Sequence, residues 1–240
     1  MIPRKTAVFV VAVLLAAGLA TADLKVVKDT HRDAFTIMGQ SQPADDHEQT
    51  SWIGKDRMMM DQGKSGTIVR LDTMKLYILN HVAKTYNVLD LPINLEEMLP
   101  PEMQPMLQMM QFEVKVEPTD EYKEIGEWNA RRFNVVMSTQ MMTITSAMWV
   151  SDVDGYDPTT FNTMYVHLNS LQPGMADAAA EMKKLNGLVV AQEGVMAMMG
   201  TEVKNAELAT SIEELDAPAG TYDPPADYTE EPFDFMKSMK

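Results

Sequence analysis

Residues 52–91 (WIGKDRMMMDQGKSGTIVRLDTMKLYILNHVAKTYNVLDL) are a run of short alternating segments separated by brief turns. Side chains of a strand point to opposite faces in turn, so Thr67, Val69 and Leu71 share one face while Ile68, Arg70 and Asp72 share the other. The next two segments, residues 74–80 and 85–91, are joined around His81, Val82, Ala83 and Lys84. Connections this short join antiparallel neighbours and leave no room for a parallel crossover. The stretch therefore predicts an antiparallel meander.

The same signals recur along the chain. Strands are expected over residues 24–38, 49–53 and 57–61, with a polar turn region at 39–47 and a turn at Gln62 to Gly66. Further on, residues 112–116, 122–125 and 130–137 alternate, the last two as a hairpin about Gly126-Glu127, and residues 142–150 follow. Residues 188–192 and 195–199 read as a hairpin about Glu193-Gly194, and residues 202–213 as a long strand. Two insertions differ. Residues 95–110 form a methionine-lined flap that Pro100, Pro101 and Pro105 break into short helical pieces. Asp157-Pro158 then starts a helix, an N-cap followed by proline at the first helical position. Phe161, Met164, Tyr165, Leu168 and Leu171 recur on one face of it, Pro173-Gly174 stops it, and residues 175–186 form a second helix. A sheet of about ten or eleven strands must curl, and its concave face must be filled. The predicted fold is mainly β (α+β): a curled antiparallel sheet forming an incomplete barrel over the helices at 158–186.

The start of the chain sets the expected compartment. Arg4 and Lys5 precede an apolar run at residues 7–19, and Ala20-Thr21-Ala22 fits the small-x-small pattern of signal peptidase. The alternative, an uncleaved anchor, needs about 20 apolar residues. The expected organisation is a cleaved signal peptide at 1–22, a half-barrel domain at 23–216 and an acidic, Pro-rich tail at 217–240, extended with its aromatics docked. A periplasmic or extracellular location follows. Cleavage leaves 18 basic against 35 acidic residues, a surface that repels nucleic acid and anionic membranes. The absence of cysteine rules out disulfides and thiol lipidation, so stability must come from apolar burial.

Several of these segments carry a family resemblance: Asp56-Arg57-Met58, Ile68 to Asp72, Lys75 to Leu79, Lys84-Thr85-Tyr86, Ile125 to Trp128, Asn186 to Val190 and Tyr222 to Tyr228. In their order and spacing they resemble a secreted bacterial family classed as a domain of unknown function. That family is itself similar to the outer-membrane lipoprotein carrier proteins. The resemblance spans most of residues 24–230. It implies a curved, lipoprotein-carrier-like half-barrel with an apolar concavity, and it implies no catalytic residues. The methionine content and the proline-broken flap depart from the family pattern.

The residues themselves offer little catalytic chemistry. His31, His47, His81 and His167 lack metal-ligand spacing, no GxSxG nucleophile motif occurs, and His31-Arg32-Asp33 stands without the other elements of a kinase. Asp152-x-Asp154-Gly155-x-Asp157 resembles a calcium loop but lacks the closing glutamate. No enzyme activity and no cofactor are expected. The 23 methionines are the compositional anomaly. Thioethers fill irregular cores and suit adaptable binding surfaces. The leading expectation is an apolar ligand, a lipid or acyl chain, held in the concavity by Met98, Leu99, Met103, Met106, Phe161, Met164, Tyr165 and Leu168. One alternative is a structural or interaction module with a filled core, whose acidic surface meets a basic envelope protein. Another is a Cu(I) site built from Met103, Met106, Met109 and Met110, which recur at spacings of three and four.

Overall fold

The structure, a computed structural model, describes residues 22–37, 39–168, 171 and 174–234. The expected signal segment, Ala22 apart, and residues 235–240 of the tail lie outside the described residues. In chain order the first strands are β1 (Asp23–Arg32), β2 (Phe35–Ile37), β3 (Gln40–Gln42), β4 (Asp45–Ile53), β5 (Arg57–Asp61), β6 (Ser65–Arg70), β7 (Lys75–Asn80) and β8 (Thr85–Asp90). The flap follows as α1 (Leu95–Met98), a 3-10 turn (Pro101–Met103) and α2 (Gln104–Met110). Then come β9 (Glu113–Ile125), β10 (Trp128–Ser138) and β11 (Met142–Ser151). Helices α3 (Pro158–Leu168) and α4 (Met175–Met182), with a 3-10 turn at Lys183–Leu185, precede β12 (Leu188–Met198), β13 (Thr201–Leu215) and β14 (Thr229–Glu230).

Twelve strands make one sheet in the order β14-β8-β7-β6-β5-β4-β1-β13-β12-β11-β10-β9, while β2 and β3 form a small separate hairpin. Every pair is antiparallel except β14 with β8. Strand β1 pairs with β4 on one side and β13 on the other, so it joins the two halves of the chain at the sheet centre. The expected curl is present and the barrel stays open. Helix α3 packs on β6, α4 packs on β9, and the two helices touch each other. One helix pair thus spans strands from opposite halves of the sheet, which only a curled sheet allows.

The meander at 52–91 forms as its alternation requires. Leu76 faces Val69 and Leu89, and Met58 faces Val69 and Ile53, so one face is apolar from β4 to β8. The turns entering β7 and β8 each close on a residue in the left-handed region, Met74 at φ 51° and Lys84 at φ 54°. Asn80 stabilises the second by accepting the Ala83 N–H at 2.9 Å.

Elsewhere local chemistry misleads. Residues 188–199 do not turn at Glu193-Gly194: β12 runs straight through, and the turn lies at Met199 (φ 49°) and Gly200 (φ 81°). Gly194 is needed for space, because a Cβ there would sit 2.5 Å from Asn205 Oδ1 and 2.8 Å from Ser146 Oγ. Residues 113–125 are likewise one strand rather than two. Pro118 is tolerated because β9 is an edge strand, and the register with β10 slips between Arg131 and Phe133. The polar region at 39–47 is β3 and the first part of β4, not a turn.

The sheet carries apolar clusters on both faces. Inside, Met164 of α3 packs with Met58, Val69, Leu76 and Leu91 in one wing. In the other, Val116, Phe133, Val135, Met148 and Val150 pack beneath Met182 and Leu185. Outside, Tyr222 of the C-terminal segment is buried against Trp52, Ile68 and Leu79. Arg70 anchors that segment by donating to the Tyr222 carbonyl at 3.2 Å and to Asp223 at 2.7 Å.

Candidate functional site: an inner-face cavity

Between α3 and the centre of the sheet lies a cavity of about 430 Å³. Its roof begins with the helix cap. Asp157 accepts the backbone N–H groups of Thr159 at 3.0 Å and Thr160 at 3.2 Å, together with the Thr160 hydroxyl. That hydroxyl first, and the Thr159 N–H second, hold the Asp157 carboxyl below the usual carboxylate range. The capping use of Asp157 was legible from Asp157-Pro158.

From the cap a row of rings crosses the cavity. Tyr156 and Phe161 have centroids 5.3 Å apart, and Phe161 and Tyr165 stack at 5.9 Å. Phe161 and Tyr165 are four residues apart and Leu168 is three beyond, so all three can face the sheet. Burial raises the Tyr165 phenol well above its ordinary value, and the Glu207 charge adds to it. Burial also pushes Tyr156 upward, with Asp157 as the lesser cause. Both phenols are thus held in the neutral form.

The floor differs. Lys28 of β1 and Glu207 of β13 pair at 3.2 Å, with side chains only 13% and 27% exposed. Gln49 lies opposite Lys28 in the register, and Gln192 lies opposite Glu207. Gln62 donates to Gln49 at 3.2 Å. The walls are Met60, Met148, Met182 and Leu185. A neutralised polar stripe therefore runs under a largely apolar, aromatic roof that includes the Asn162 amide.

The residues expected to bind a ligand separate into groups. Phe161, Tyr165 and Leu168 come together at the cavity. Met164 turns away into the packed wing, with no exposed surface. Leu99 and Met103 pack with Leu95, Leu107 and Phe233 in a separate flap cluster, and Met98 is partly exposed. The Met106 and Met110 side chains lie outside the described residues. Of the remaining thioethers considered for copper, Met103 is packed and Met109 is exposed. Among the described residues, no group of three or more His, Asp or Glu side chains is placed to hold a metal ion.

Sequence reasoning missed Lys28, Gln49, Gln62, Gln192 and Glu207. A signal existed: Lys28 is in phase with the inward Leu24 and Val26, an apolar face continuing onto a charge. The histidines lie elsewhere. His31 bridges Asp46 at 2.6 Å and Asp33 at 3.0 Å, and its pKa is raised by Asp46 first and Asp33 second. His81 meets the Tyr228 hydroxyl at 2.7 Å. His167 is lowered by burial.

No family model and no curated protein matches the sequence. Among solved structures, the chain is similar to a putative outer membrane lipoprotein-sorting protein domain from Vibrio parahaemolyticus. The TM-score is 0.32 and the identity 6%, over 84% of this chain and 89% of that one. The resemblance read from the residues thus meets a neighbour of that description but no family model.

Proposed function

We propose that the protein is a secreted, non-enzymatic binding protein that holds the apolar chain of a lipid or similar ligand in the inner-face cavity. It acts in the periplasm or outside the cell, after loss of the leader at 1–22. The observation that carries this reading is the cavity itself, about 430 Å³ under Phe161, Tyr165 and Leu168. Small-molecule sites span about 300–1,000 Å³ and are lined mainly by apolar and aromatic groups. Each methylene moved out of water contributes about 0.8 kcal/mol. A chain of several methylenes can therefore offset an association cost of about 4 kcal/mol or more. Met60, Met148 and Met182 suit such a role, since unbranched thioether side chains repack around different chain shapes.

The neutral fluorophore N-phenylnaphthylamine tests this. Its emission should rise and shift blue with the wild-type protein. Leu168→Trp, which places an indole in the cavity, should weaken that binding about tenfold or more. Met109→Trp, on an exposed flap residue, should leave it unchanged. No emission change with the wild type, or equal binding by Leu168→Trp, would contradict the proposal.

A further inference from the structure

The polar floor restricts what the cavity can hold, and this inference rests on the binding reading above. Lys28 and Glu207 present opposite charges 3.2 Å apart, both more than two-thirds buried. Gln49 and Gln62 bond each other. Gln192 lines the cavity opposite Glu207, with no hydrogen-bond partner for its amide among the described residues.

Each simple class of occupant fits this floor poorly. A hydrocarbon would strip water from the charge pair and from Gln192 and return no hydrogen bond. An anionic head would meet Glu207 beside a lysine that is already neutralised, and a cationic head would meet Lys28 in the same way. Either adds an unpaired charge to a poorly solvated site. The complement of a charge pair is a second pair in the opposite sense. The cavity volume of about 430 Å³ is near the small end of ligand sites, which favours one alkyl chain over two.

We propose that the occupant is a single-chain amphiphile with a zwitterionic head. Its cation lies against Glu207 and its anion against Lys28 and the Gln192 amide, with the chain along Phe161, Tyr165 and Leu168. The stripe at the sheet centre is then a head-group site, and the ring row of α3 a chain site.

Displacement of N-phenylnaphthylamine by four amphiphiles of equal chain length separates this from its rivals. The probes are dodecylphosphocholine, dodecanoate, dodecyltrimethylammonium and dodecanol, each below its micelle concentration. Dodecylphosphocholine should displace the fluorophore about tenfold more strongly than the other three. Glu207→Gln leaves Lys28 unpaired and should turn the preference toward dodecanoate. Lys28→Met should turn it toward dodecyltrimethylammonium. Gln192→Leu removes a partner without changing charge and should narrow the phosphocholine advantage, so a folding failure of either charge variant leaves a second readout. Equal displacement by all four probes, or dodecanoate strongest on the wild type, would overturn the head-group assignment and leave chain binding standing. No fluorophore binding at all would instead remove the binding reading.

Discussion

Helix α3 meets two different surfaces along one length. Over β5, β6 and β7 the inward residues are Met58, Val69 and Leu76, and Met164 settles among them with no exposed surface. Over β1, β13 and β12 the inward residues are Lys28, Glu207 and Gln192, and the helix stands off by a cavity of about 430 Å³. The helix presents Phe161 and Leu168 to both regions and adds Asn162 and Tyr165 at the cavity, so the larger difference, a buried charge pair against an apolar floor, lies in the sheet. Apolar floors close because contact with the helix removes apolar area from water. A charged and amide-bearing floor stays open because closing on it would leave polar groups without partners. The position of the cavity is thus set by which inward strand positions are polar.

The filled wing should give the largest response. Met164→Ala deletes a fully buried side chain and should cost about 2–5 kcal/mol in chemical denaturation, with fluorophore affinity little changed. Leu168→Ala, half-buried at the cavity, should reverse that balance, costing less stability and altering binding more. Equal effects from the two would show that filled and open regions do not differ as described.

Next in size are changes to the floor. Glu207→Leu leaves Lys28 without its partner in a partly exposed pair and should cost about 1–3 kcal/mol. Lys28→Met combined with Glu207→Leu makes the centre apolar like the wing. That pair should be near the wild type in stability or above it, with α3 closing down and fluorophore binding lost. A double variant as unstable as the single one would mean that the polar floor is not what holds the cavity open.

A smaller effect is expected at the roof. The Asp157 carboxyl titrates below its ordinary value of 3.8, so its capping contribution is present above that pH and is lost as pH falls through the lowered value. Asp157→Asn caps without titrating. The difference in helical circular dichroism between the two proteins should therefore appear only below about pH 4. Asp157→Ala should lower the melting temperature by about 2–4 °C. The smallest change belongs to the exposed flap methionine: Met109→Gln should stay within about 0.5 kcal/mol of the wild type.

What could be read from the sequence follows the same division. Wing strands were legible because Thr67, Val69 and Leu71 alternate without interruption, and the roof helix because Asp157-Pro158 marks its start. Gly194 was misread as part of a hairpin turn because glycine usually punctuates strands, and the alternation at residues 112–116 and 122–125 did not show that one strand runs through Pro118. Here the glycine makes space for Asn205 and Ser146, and the proline sits on an edge. The roof half of the candidate site, Phe161, Tyr165 and Leu168, was visible as helical spacing. The floor was not, because Lys28 and Glu207 are 179 positions apart and meet only once β1 pairs with β13. Single-strand alternation shows which residues share a face, but not which strands become neighbours.

The central claim is that the sheet centre is open and occupied by a ligand chain. Native mass spectrometry of the gently purified, leader-processed protein tests it most directly. The expected result is an adduct with the mass of a single-chain amphiphile on the wild type and a bare mass for Leu168→Trp. A bare wild-type mass together with no N-phenylnaphthylamine response, or the same adduct on both proteins, would contradict it.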